Sequence, residues 1–358
     1  MLFSLKHIIK IILIFLSIGT VLVMFYCWNN IINSEEASPQ YTQNTSYNEK
    51  HIWGKPLKTL FPDITNPKYV TAETASFFLQ PGDDVYYLQS KNNIYVFPVF
   101  ILGYHHIVND IIDGQPIAIT TCLLTNTPVT YKRTVSGKVL HFGVLGNLYH
   151  GNLIMYDKET DSTWIQLTGE SVSGKYKDIR LDISYPIVQT KWENLRNKEN
   201  LLILQPQLEL DFYHSFVKKY EGRTTGLSLL QNVKLRTDLE SYTNGIGIVV
   251  RNKEVFYPID QIRKRQVIND AINGWHVVIF YNKDDETIHI YRRYINNKLP
   301  TFTLENNILQ DQETHSVWSF EGEAKSGKLK GISLKNLSYQ MAYWYSWSSF
   351  YPNTTIWK

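Results

Sequence analysis

Cysteine is almost missing: the 358 residues hold two, Cys27 and Cys122. That excludes a disulfide-stapled scaffold, which needs several pairs. Cys27 ends an apolar run and Cys122 lies deep in the remainder, so the two are not expected to pair. Net charge is also small, +3, which excludes the basic surface expected of a nucleic-acid partner. Lysine and arginine are scattered, and the densest patch, residues 261–266, reads as a solvated face. There is no G-x-x-x-x-G-K-[ST], G-x-S-x-G, H-E-x-x-H or C-x-x-C. The usual sequence warrants for P-loop, hydrolase, zincin and dithiol chemistry are therefore lacking.

Formal charge is absent altogether from residues 11–28. As a helix these would span about 27 Å, close to the hydrocarbon thickness of a bilayer. Lys6, His7 and Lys10 precede the run and Glu35 and Glu36 follow it. That asymmetry sets the N-terminus in the cytoplasm and the rest outside. An uncleaved transmembrane anchor is expected. A cleaved signal peptide is the alternative, although its apolar core is usually shorter and no small-x-small site follows the run. Residues 29–49, rich in Asn, Ser, Thr, Gln and Tyr, read as a polar linker. The globular part is then extracytoplasmic, periplasmic or at the cell surface.

What the chain does contain is itself, twice. Residues 108–142 align with 268–302 at a constant offset of 160. Identical there are Asn109/Asn269, Asp110/Asp270, Ile112/Ile272, Gly114/Gly274, Ile119/Ile279, Thr127/Thr287, Tyr131/Tyr291, Arg133/Arg293, Lys138/Lys298 and Phe142/Phe302. Chance would give roughly two matches, so this is a duplication. Further on, Ser162/Ser316, Trp164/Trp318, Gly169/Gly322, Glu170/Glu323 and Gly174/Gly327 fall in step.

Runs rich in β-branched and aromatic residues at 85–88, 94–102, 117–124, 129–135, 138–142, 153–156 and 163–167 read as strands. Ser136-Gly137 between two of them reads as a hairpin turn. Helix is expected only at 190–198 and 342–349. The predicted fold is mainly β: two tandem copies of a similar antiparallel β unit with minor helices, preceded by one N-terminal transmembrane helix. The boundaries are 1–28 for the anchor, 29–49 for the linker, 50–212 for the first repeat and 213–358 for the second.

Several ordered motifs now carry a resemblance. Tyr104-His105-His106-Ile107-Val108-Asn109-Asp110 resembles the w-H-E-I-V-N-D signature of the bacterial family catalogued as domain of unknown function 3179. Thr120-Thr121-Cys122-Leu123-Leu124-Thr125 stands where that family has T-Y-C-P-L-C. Phe142-Gly143-Val144-Leu145-Gly146-Asn147-Leu148 is similar to F-G-V-S-G-x-L, and Ser162-Thr163-Trp164-Ile165-Gln166 to S-x-W-x-Q. Trp344-Tyr345-Ser346-Trp347 with Phe350-Tyr351-Pro352 resembles W-F-A-W-x-x-F-H-P. The resemblance implies an exported or membrane-anchored protein and no particular activity. The chain departs from the pattern at Thr125 for the second Cys, His106 for Glu and Tyr351 for His. A two-thiol site, if the family has one, is incomplete here.

The duplication also separates scaffold from candidate site. Residues shared by both copies, Asn109, Asp110, Arg133 and Trp164, read as structural: turn chemistry, a bridging guanidinium and a core anchor. His105, Cys122 and Gln166 face Arg265, Asn282 and Phe320 in the second copy, so a site built on them would be one-sided. With His106 and Thr125 they form the candidate ligand pocket. His105 and Cys122 could also hold copper or zinc, as soft and borderline donors, or act as nucleophile and base. Against these stand plain readings: Cys122 as an apolar filler and the histidines as backbone caps. A binding or scaffold module of the cell envelope is the leading expectation. A mononuclear copper or zinc protein comes second, and a Cys/His hydrolase or transferase third.

Overall fold

The computed structural model describes residues 47–220, 225–230 and 232–358. The expected anchor at 11–28 and most of the linker lie outside the described residues. Among the described residues no helix is long and apolar enough to cross a membrane. Residues 43–358 form one compact unit.

The protein is mainly β, with several sheets that come in matching pairs. In the first half the hairpin Asp84–Gln89 and Ile94–Pro98 is flanked by Val188–Lys191, antiparallel, and Leu201–Leu204, parallel. In the second half Asn244–Val250 and Lys253–Pro258 are flanked by Gln340–Tyr343, antiparallel, and Thr355–Ile356, parallel. The meander Ile107–Ile112, Gln115–Thr120, Val129–Lys132 matches Val267–Ile272, Trp275–Asn282, Thr287–Arg292. Phe142–Tyr149, Asn152–Asp157, Thr163–Ile165, Ser171–Ser173 matches Phe302–Glu305, Ile308–Asp311, Val317–Trp318, Ala324–Ser326. Each half buries two cores, one under its hairpin sheet and one around its tryptophan.

The shared residues make the same bonds twice. Asn109 accepts from Phe142 N at 2.9 Å and donates to Phe142 O at 2.9 Å; Asn269 does the same to Phe302 at 2.9 and 2.8 Å. An amide side chain thus acts as a rung between two sheets. Asp110 and Asp270 each accept a tyrosine hydroxyl at 2.6 Å, from Tyr69 and Tyr257. Trp164 and Trp318 donate to Asp157 and Asp311, both at 3.0 Å. Arg133 is repeated only in part: its fork donates to the carbonyls of Asp110, Ile117 and Leu140, and Arg293 matches the last with a bond to Pro300 O at 3.2 Å.

Helix differs most from expectation. The run at 94–102 is not one strand: the strand stops at Pro98 and helix α1, Val99–His105, follows. Proline sets φ for a helix start and needs no donor there. Pro258 starts the equivalent helix, Ile259–Arg265. The expected helix at 190–198 is a strand end and one 3-10 turn, Trp192–Asn194. Helix α2, Leu210–Tyr220, crosses the 212/213 boundary and packs on α1, so it belongs with the first half. Helix α3, Trp344–Phe350, falls two residues from its expected start and is buried almost throughout.

Candidate functional site

The end of α1 decides which histidine meets Cys122. His106 closes the helix in the left-handed conformation, φ 60, with its N–H on Leu102 O at 2.7 Å. Gln266 closes the equivalent helix at φ 58. This reversal separates the two adjacent imidazoles. His105 Nδ1 lies 2.6 Å from Pro62 O and its Nε2 2.7 Å from Tyr213 Oη. The carbonyl requires the proton on Nδ1, so Nε2 accepts from the tyrosine. Both nitrogens are committed, and His105 is a strut between the 62 segment and α2.

Among the described residues the His106 side chain makes one hydrogen bond, Nδ1 to Thr121 O at 3.2 Å, and sits edge-on to Phe61 with ring centres 4.8 Å apart. Donation to that carbonyl puts the proton on Nδ1 and makes Nε2 an acceptor. Burial is the main cause pulling its pKa down to about 4, so the ring is neutral. Cys122 is 2% exposed, and burial pushes its thiol pKa up. It is a thiol, not a thiolate.

His106 and Cys122 line one cavity of about 310 Å³. Its wall is otherwise mostly apolar: Trp53, Leu60, Phe61, Val144, Leu153 and Phe216 supply much of it. One further polar group is there. Asn147 is 5% exposed, and its Oδ1 has no hydrogen-bond partner among the described residues. A β-bulge puts it there, since the register of Phe142–Tyr149 shifts between Val144 and Leu148. Gly146 permits the bulge at φ 94, and a Cβ on it would lie 2.8 Å from the Leu57 backbone. The Gly-Asn pair inside F-G-V-L-G-N-L was the sequence signal for Asn147, because glycine inside a strand often marks a bulge.

Thr125 and Gln166 do not line the cavity. Gln166 Oε1 accepts from Thr127 at 2.8 Å and Asn152 at 2.9 Å, and its Nε2 donates to Thr120 Oγ at 2.9 Å and Thr127 O at 2.8 Å. Thr125 Oγ accepts from Asn152 at 2.9 Å and meets Thr127 Oγ at 2.9 Å. All five of these side chains are buried, and the bonds they share use up their polar atoms. The network holds the 122–127 turn. The second half holds it too: Tyr343 N donates to Thr125 O at 2.9 Å, and Tyr345 Oη to Leu124 O at 2.7 Å.

The donor set does not fit copper or zinc. Among the described residues no three His, Cys, Asp or Glu side chains come close enough to hold a metal. The His105 and His106 bonds run to Pro62, Tyr213 and Thr121 rather than to the thiol, so these residues form no activated Cys–His pair either. A second cavity of about 280 Å³ lies between the halves. Asp84, Lys191, Arg263 and Glu286 line it, and Asp84 and Lys191 already pair at 3.0 Å.

Comparison with known proteins adds a family and no activity. A family model described as Protein of unknown function (DUF3179) matches residues 58–354. No curated protein and no solved structure matches the chain.

Proposed function

The chain belongs to the DUF3179 family, and on that premise we propose that it is a membrane-anchored, extracytoplasmic binding module, built of two tandem β units, whose first unit takes a small apolar ligand bearing one hydrogen-bond donor. Asn147, which lines the apolar cavity and whose buried Oδ1 has no partner among the described residues, carries this reading. A buried acceptor left bare is unfavourable by about 1–3 kcal/mol, and a guest that donates to it recovers that energy. His106 Nε2 offers a second acceptor on the same wall. The volume suits a guest at the small end of the ligand-pocket range. The uncharged run at 11–28 and its flanking charges support the anchor and orientation.

Dodecanol has the required shape: one hydroxyl and an apolar chain. Residues 43–358 should bind it saturably, displacing a neutral naphthylamine dye, with a rise in Tm. Leu153→Trp, which fills the cavity, should abolish both effects. Saturable binding that survives Leu153→Trp would place the guest elsewhere, and absence of binding would refute the reading.

A further inference from the structure

We propose that the mouth of this cavity docks on a phospholipid leaflet, from which the cavity draws a single-chain amphiphile bearing a hydroxyl. This rests on the ligand reading above and says where the guest comes from.

The rim carries the inference. Residues 53–60 form an unbroken exposed run that skirts the cavity. Within it Trp53, Leu57 and Leu60 are 38%, 50% and 45% exposed. Trp53 and Leu60 line the cavity itself, and Leu57 N bonds Leu145 O beside the lining Gly146. On α2, Phe212, 44% exposed, precedes the lining Phe216 by about one turn. Large apolar side chains grouped at a cavity mouth are unfavourable in water and mark a surface that meets something apolar.

The charge pattern selects lipid. Trp53-Gly54-Lys55-Pro56-Leu57-Lys58-Thr59-Leu60 interleaves indole and leucine with lysine, and no acidic residue occurs from 53 through 62. Indole sits at the headgroup level, lysine reaches phosphate and leucine enters the acyl boundary. Lys58 is tied to Asp161 and lies over Tyr156 at 4.4 Å, so Lys55 is the nearer candidate for phosphate. The position in the chain agrees. Residues 29–46 separate the uncharged run from the described chain, at most about 65 Å even fully stretched. The two acceptors, Asn147 Oδ1 and His106 Nε2, then select guests with a hydroxyl over a diacyl lipid, whose chains carry no donor.

Flotation of residues 43–358 with phosphatidylcholine vesicles containing a quarter phosphatidylglycerol tests this, with dodecanol binding in solution as the parallel readout. The wild type should float with vesicles. Leu57→Asp with Phe212→Asp, two exposed positions off the cavity wall, should weaken vesicle binding by at least about tenfold and keep dodecanol binding. Quenching by brominated lipid should fall in Trp53→Phe, an independent check that needs no charge on the rim. If the wild type binds dodecanol and does not float, docking is wrong and the ligand reading stands. If it does neither, both fail. Vesicle binding that survives the double variant and vanishes in Lys55→Glu is charge adhesion alone, and overturns the docking.

Discussion

Replacing Asn147 by leucine should make the ligand-free protein more stable and a poorer binder. Most substitutions of a buried residue destabilise, so the sign is diagnostic. Asn147 is 5% exposed with a bare Oδ1. An unpaired buried acceptor opposes folding by about 1–3 kcal/mol, and an apolar side chain of similar volume removes that opposition. Some packing is lost because leucine branches differently. The expected gain is therefore about 1–2 kcal/mol, or roughly 2–4 °C in Tm for a unit of this size. Dodecanol would then leave its hydroxyl unpaired in the cavity. Its affinity should fall by about 1–2 kcal/mol, some five- to thirtyfold, while a purely apolar dye of equal size binds as well or better. Denaturant unfolding and dye displacement on one preparation read both quantities. A variant destabilised by more than about 1 kcal/mol, or one that loses alcohol and apolar dye equally, would show that Asn147 serves the bulge and not a guest.

Other consequences are cheaper to check. His106 is neutral when folded, its pKa lowered from 6.5 to about 4, so between those values the unfolded chain binds more protons and stability falls as pH falls. At pH 5 this site should account for a loss on the order of 2 kcal/mol relative to pH 7.5, and His106→Gln, the other half's residue, should lose less stability over that range. Native Cys122 should resist iodoacetamide at pH 8 and react on denaturation, because burial raises its pKa; rapid native alkylation would revive thiol chemistry. Trp164→Phe and Trp318→Phe, each losing a 3.0 Å bond to a buried aspartate, should destabilise by similar amounts, about 2–3 kcal/mol. Gln166→Leu strips four bonds from a buried network and should lower stability by about 2–4 kcal/mol, leaving dodecanol affinity within about twofold.

The strands were the legible part. Alternation and hairpin turns such as Ser136-Gly137, both with positive φ, are local signals that tertiary structure seldom overrides. Helix α1 was not legible, because Val99-Phe100-Ile101-Leu102 is buried nearly all round and shows no helical period. Only the paired prolines, Pro98 and Pro258, hint at the break. Comparing the two copies led to His105 and Cys122 as the unshared reactive residues. It could not say that a left-handed residue ends α1 and that His106, not His105, shares a cavity with the thiol. Thr125 and Gln166 brace a turn from within; the second copy's turn is also held from across the chain, where Thr190 and Asn194 donate to Asp285 O, but Phe320 stands in place of the glutamine. Asn147 is hard to read from the sequence, because an asparagine in a strand looks like a surface residue until the bulge is seen.

The turn that carries Cys122 to Thr127 is closed from both sides of the chain. Asn126 donates to Met341 at 3.5 Å, and Tyr343 N to Thr125 O at 2.9 Å. These partners are separated by more than two hundred residues, so the wall of the cavity is among the last parts that synthesis can complete. Until Gln340–Tyr343 emerges, the Cys122 turn and the edge at Asn244–Val250 are without their partners. Were the chain exported N-terminus first, as proposed above, those surfaces would stand uncovered outside the cell. A chaperone acting there would find its substrate at the first half's turn, and a stop codon before Gln340 would strand the chain in that state.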